Sequence, residues 1–147
     1  MAVAARTQGD GLLVLCRLAT GGPLEPEILR IALGEPALYA SPRRYTRQVY
    51  SEHQPGVLRE VSVRSLGIEP AWISPNGVWP DIEPGAVAIG NDPTLRAVLV
   101  LRKRGTKLVR LTDSDDRSVT FVIDASTPAE LDELERRVHA AISTEAE

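Results

Sequence analysis

The sequence predicts an α+β fold: a strongly bent, mainly antiparallel sheet or partly open barrel, capped by a C-terminal amphipathic helix. Three observations predict it. Ser118 to Ile123 is a strand-like run in which Val119, Phe121 and Ile123 point one way and Thr120 and Val122 the other. A helix signal follows at once. Thr127 is placed to cap first-turn amides, Pro128 fits where no donor is needed, and Glu130 completes a capping box; Leu131, Leu134, Val138 and Ile142 then share one stripe. Upstream, short strand-like runs are separated by turn residues.

In chain order, Gly11 to Leu18 reads as a buried strand bounded by glycines, with Cys16 as a small apolar thiol facing the core, and Gly21-Gly22-Pro23 turns the chain. Glu25 to Leu33 suits either a short helix (Ile28, Ile31, Ala32) or a strand (Ile28, Arg30, Ala32). Glu35-Pro36 ends it, because proline drives the preceding residue from helical geometry. Ala37 to Ala40 and Arg44 to Tyr50 read as strands around Ser41-Pro42. In the second, Tyr45, Arg47 and Val49 oppose Thr46, Gln48 and Tyr50. Val57 to Leu66 resumes after Gln54-Pro55-Gly56. Prolines at 70, 75, 80, 84 and 93 leave room only for short strands near Ala71 to Ile73 and Ala86 to Ile89. A three-stranded meander closes the sheet: Ala97 to Arg102, Lys107 to Leu111, then Ser118 to Ile123.

The closing pattern of Val119-Thr120-Phe121-Val122-Ile123, Ser126 to Leu131, then Leu134, Val138 and Ile142 resembles the last strands and C-terminal helix of the pleckstrin-homology-like superfold. The likeness covers roughly a third of the chain. It departs where that helix commonly carries a core tryptophan, since Leu134 stands there. The resemblance implies a scaffold that binds peptides, proteins or sometimes lipids, without catalysis.

At 147 residues, 43% of them hydrophobic and 25% charged, the chain suits one domain, with residues 1–10 and 143–147 expected as flexible ends. A net charge of −3 gives the whole molecule no strong attraction to nucleic acid or to anionic membrane. The lone Cys16 excludes an internal disulfide and suits a reducing compartment. The apolar run before it is too short for a secretory signal and no run reaches membrane-spanning length, so a cytoplasmic location without membrane insertion is expected.

Six residues form the candidate binding set: Trp72, Trp79, Asp81, Glu83, Arg102 and Arg104. Both tryptophans of the chain flank Pro75-Asn76-Gly77, where they either line a pocket or plug the end of a sheet. Asp81 and Glu83 add carboxylates nearby. Arg102 and Arg104 belong to a basic stretch (Arg96, Arg102, Lys103, Arg104, Lys107, Arg110) that either grips an anion or keeps a hairpin soluble, with Asp113, Asp115 and Asp116 at the next turn to neutralise it. Arg43, Arg44 and Arg47 form a second basic group with the same two readings. His53 and His139 lack further ligands at metal-binding spacing, and no phosphate loop, nucleophile elbow or dinucleotide fingerprint occurs. No catalytic residue, cofactor or metal is therefore expected.

The function these features suggest is a non-enzymatic interaction or accessory domain with a protein or peptide partner, a homodimer being left open. The alternative is a small enzyme or ligand-binding barrel whose pocket is lined by the Trp72/Trp79 loop, with Asp81, Glu83, Tyr45 or Tyr50 supplying proton transfer or hydrogen bonds.

Overall fold

The computed structural model describes residues 11–73, 77–80, 82 and 92–147. Its first element corrects the expected strand: Leu12–Thr20 is a helix, α1. The glycines that suggested strand boundaries end a helix instead. Gly21 adopts the left-handed conformation at φ 77° and donates its N–H to the Arg17 carbonyl at 2.8 Å, a stop that favours glycine. Leucine is a strong helix former and Val14 is the one β-branched residue before Thr20, so local preference agrees. Val14, Leu15 and Leu18 turn inward, while Cys16 is half-buried on the helix.

The ambiguous segment is also helical: α2 spans Glu25–Ala32, with Pro26 in its first turn, and none of its residues is buried. Ala37 to Ala40 form no strand. The backbone there finds a side-chain partner in place of a ladder, as the Leu38 N–H donates to Glu27 Oε2 at 2.6 Å.

The described strands are β1 (Tyr45–Ser51), β2 (Gly56–Val63), β3 (Ala71–Trp72), β4 (Thr94–Val100), β5 (Lys107–Leu108) and β6 (Val119–Ala125); helix α3 (Pro128–Ala141) then leads into β7 (Ile142–Ala146). They divide between two sheets, ordered β1-β6-β4-β3 and β5-β2-β7. The α+β class, the mainly antiparallel pairing and the capping C-terminal helix are as the sequence implies, with the described strands divided between two sheets and no closed barrel among them. Residues 86–89, expected to hold a short strand, lie outside the described residues.

Strand β6 is the axis. It pairs antiparallel with β1 from Tyr45↔Ala125 to Ser51↔Val119, and on its other side with β4 from Thr94↔Asp124 to Val100↔Val119. The expected meander is therefore corrected. With both edges of β6 occupied, β5 pairs with β2 instead, Gly56 opposite Leu108 and Val57 opposite Lys107. The turn before β5 is bonded to β2 as well, Gly105 N–H donating to Leu58 O at 2.7 Å. The tail from 143, expected to be flexible, is the edge strand β7, in register with β2 from Leu58↔Ala146 to Val63↔Ile142.

Alternation along β6 separates two cores. Val119, Phe121, Ile123 and Ala125 join Val98, Val100, Leu58, Val61 and Leu108 beneath Leu131, Leu134 and Val138 of α3. Val122 faces the opposite side and meets Leu18 of α1. Each such aliphatic side chain contributes about 1.5–3 kcal/mol on leaving water. The capping box of α3 forms as read: Thr127 Oγ1 accepts from Glu130 N–H at 3.2 Å, and Glu130 Oε2 accepts from Thr127 N–H at 3.0 Å. The i,i+4 spacing of Asp132 with Arg136 and of Glu133 with Arg137 suits helix-surface pairs, but the pairs formed are others. Arg136 pairs with Glu133, and Asp132 reaches Arg47 on β1.

Candidate functional site

The end of β1, the turn that follows it, the last turns of α3 and the start of β7 enclose a cavity of about 560 Å³. Antiparallel pairing carries β1 toward the β1–β2 turn, and α3 crosses the same sheet face, so residues distant in sequence meet here. The walls include Ser51, Glu52 and His53 from the strand end and turn, Glu135 and His139 from the helix, and Thr144 from β7; Val49 and Ile142 supply apolar surface. Both histidines of the chain line this one cleft.

His53 is held at both ring nitrogens. Nε2 lies 2.8 Å from the Val109 carbonyl, which only accepts, so Nε2 carries a proton; Nδ1 lies 2.8 Å from Ser118 Oγ. These bonds fix the ring and tie the β1–β2 turn to the segments flanking β5 and β6. His139 stands edge-on to Phe121, centroids 5.1 Å apart at 84°, with Nε2 3.8 Å from Glu135 Oε1. Glu135 also pairs with Arg47, and that bond, supported by Asp132, raises the guanidinium's pKa further above its ordinary value. Ser51 is only 5% exposed, and its Oγ has no hydrogen-bond partner among the described residues. Glu52, beside it, is exposed and makes no ion pair among the described residues. The cleft thus presents an unpaired hydroxyl and carboxylates beside two oriented imidazoles. No group of three or more potential metal ligands occurs among the described residues.

A second cluster is built on Asp124, which has no exposed surface. Arg44 Nε donates to Oδ2 at 2.5 Å, Arg96 Nε to Oδ1 at 2.7 Å, and Arg96 Nη2 to Oδ2 at 3.0 Å. Arg44 also donates to the Asp92 carbonyl at 2.8 Å. The β4 register shifts between Leu95 and Ala97, placing Arg96 at an irregularity beside Asp124. This cluster pins both neighbours of β6 to its end.

The residues singled out from sequence fall in three places. Trp72 packs against the larger core, with the Arg104 guanidinium 4.0 Å from its ring centroid. Arg104 is also bidentate to Glu60, at 2.9 and 3.1 Å to Oε2, and this bond lowers the Glu60 pKa. Trp79 packs on the other side of the sheet with Leu18 and Val122. The two tryptophans therefore do not share one pocket. Asp81 and Glu83 lie outside the described residues. Arg102 Nε donates to the Arg117 carbonyl at 3.2 Å. The acidic turn closes on itself: the Thr112 hydroxyl and N–H, together with the Asp113 N–H, donate to Asp116 and lower its pKa. Of the second basic group, Arg43 donates to Thr20 O at 3.2 Å, Arg44 holds Asp124, and Arg47 holds α3. Tyr45 is 52% exposed, and the Tyr50 hydroxyl accepts from Gln48 Nε2 at 2.9 Å. What the sequence reading missed is the cleft. His53 and His139 stand far apart in sequence, and no local spacing announces that β1 and α3 bring them to one cavity.

No protein-family model matches this sequence, and no curated protein is similar to it in sequence. Solved structures do share its build. The chain is similar to phosphoribosylglycinamide synthetase from Anaerococcus prevotii over 93% of its own length and 30% of that chain, at 10% identity and a TM-score of 0.58. It is similar to L-amino acid ligase from Bacillus licheniformis over 97% of its length and 32% of that chain, at 13% identity and a TM-score of 0.62. The chain thus spans about a third of the solved chains it matches. These likenesses correct the expected function: over nearly the whole chain the build is similar to part of a synthetase and part of a ligase, where a non-enzymatic protein-binding module was expected. The alternative barrel lined by a shared tryptophan loop fails with it, because the strands form open sheets and the tryptophans lie on opposite sheet faces. No helix among the described residues is long and apolar enough to cross a membrane.

Proposed function

We propose that this chain acts as one domain of a synthetase- or ligase-type enzyme, supplying a wall of a site for a small substrate. The observation that carries the reading is the likeness to about a third of two enzymes, a synthetase and a ligase, across 93% and 97% of this chain. At 10% and 13% identity the likeness is one of build, so the groups that would hold a substrate are this chain's own. Joining two molecules requires that each be held in defined orientation, and a domain contributes to this by rigid, preoriented polar groups. The cleft has such groups in the doubly bonded His53 and the Phe121-backed His139.

The test is binding to the purified chain. Amide and imidazole resonances are followed while each L-amino acid, and separately a magnesium nucleoside triphosphate, is added. We expect saturable shifts with at least one of these. Absence of a saturable shift with all of them removes the reading.

A further inference from the structure

We infer that the cleft between β1, α3 and β7 is a binding site for a ligand bearing a primary ammonium group on a short aliphatic stem. This goes beyond the ligase reading and stands on the geometry of the cleft alone. The first observation is Ser51. The residue lines the cavity at 5% exposure, and its buried hydroxyl has no partner among the described residues. Buried polar atoms are nearly always paired, so an orphan on a cavity-lining residue marks a place where a ligand atom completes the bonding.

The second observation is the charge of the walls. Glu52 on the turn and Glu135 on the helix are the cavity's full charges, and no lysine or arginine lines it. The arginines that adjoin its lining are engaged or lie in neighbouring depressions: Arg47 is paired with Asp132 and Glu135, Arg136 with Glu133, Arg117 lies over the Tyr50 ring, and Arg110 lines a neighbouring depression with Glu52 and His53. His53 has both ring nitrogens engaged, which leaves His139 as the available imidazole. Carboxylates only accept hydrogen bonds, and the Ser51 and Thr144 hydroxyls accept as well as donate. An ammonium brings three donors and a positive charge to such a set, whereas an anion would face the carboxylate of Glu52, which has no ion pair among the described residues, beside that of Glu135, which already holds Arg47. Val49 and Ile142 offer the apolar surface a short stem would cover.

The experiment uses ethylammonium as probe and acetate as its charge-reversed counterpart, with affinity read from amide shifts of the full chain. Ethylammonium should bind saturably and shift Ser51, Glu52 and His139, while acetate should not. Glu52→Gln and Ser51→Ala should each weaken it, Glu52→Gln by roughly tenfold, in keeping with the loss of the acceptor's charge from a charge-assisted hydrogen bond. Glu69→Gln, which removes a carboxylate outside the cleft, should leave binding unchanged. The assignment is overturned if acetate shifts these residues and ethylammonium does not. It is equally overturned if Glu52→Gln and Glu69→Gln behave alike. Amino-acid binding that persists while ethylammonium fails at the cleft would remove this assignment and leave the ligase reading standing.

Discussion

Asp124 ends β6 with no exposed surface and with the guanidiniums of Arg44 and Arg96 on its oxygens. In sequence it is one acidic residue after a strand. In the fold it is the carboxylate that holds both the buried Arg44 and the half-buried Arg96. Replacing one member of such a cluster leaves the others charged in a poorly hydrated place, which typically costs about 3–5 kcal/mol. Asp124→Ala should therefore lower the unfolding free energy by that amount in a denaturant titration, far more than Glu60→Ala, whose bond to Arg104 lies at the exposed surface. Comparable losses in the two variants would show that the buried cluster is no more than a surface pair. The two basic groups, which in sequence fitted either anion capture or solubility, are taken up by contacts of the fold at Arg43, Arg44, Arg47, Arg96, Arg102 and Arg104.

At the scale of elements, α3 was legible because its signals are local: a capping residue, a proline in the first turn and a stripe of Leu131, Leu134 and Val138, all three buried; Ile142, read as the end of that stripe, instead turns extended and opens β7. Leu134→Ala should cost about 2–5 kcal/mol as a core truncation. The matched variant on α2, Leu29→Ala, removes a side chain that is 61% exposed and should stay within about 0.5 kcal/mol of the parent. The same denaturant titration reads both, and equal effects would mean that α3 does not cover the sheet. Helix α1 was misread for an equally definite reason. A short apolar run between glycines fits a buried strand and a helix alike, and the choice depends on whether a sheet edge is free to receive it. Strand β6 is already flanked by β1 and β4, and Leu18 packs on its face.

For the whole molecule, the layering of α1, the larger sheet and α3 with the second sheet makes β6 the most protected element, buried at all seven positions. Its amides should exchange with solvent only through global unfolding, while those of α2, with no buried residue, should exchange orders of magnitude faster. Hydrogen exchange followed by NMR measures both in one experiment. The amides of β7 paired to β2 should also be protected, and rapid exchange there would contradict a paired edge strand.

The sequence by itself determined the elements whose causes lie within a few residues of one another. These include the capped helix α3, the alternation that assigns Val119, Phe121 and Ile123 to one core and Val122 to the other, and the α+β class that follows. Only the tertiary structure decided the rest. It sent β5 to β2, made the last residues an edge strand, set Trp72 and Trp79 on opposite faces, and brought His53 and His139 to one cleft around an unpaired Ser51. The physical reason is the range of the interactions. Helix caps and strand alternation act along the chain, whereas strand neighbours and cavities arise from which surfaces remain uncovered once the other elements have packed.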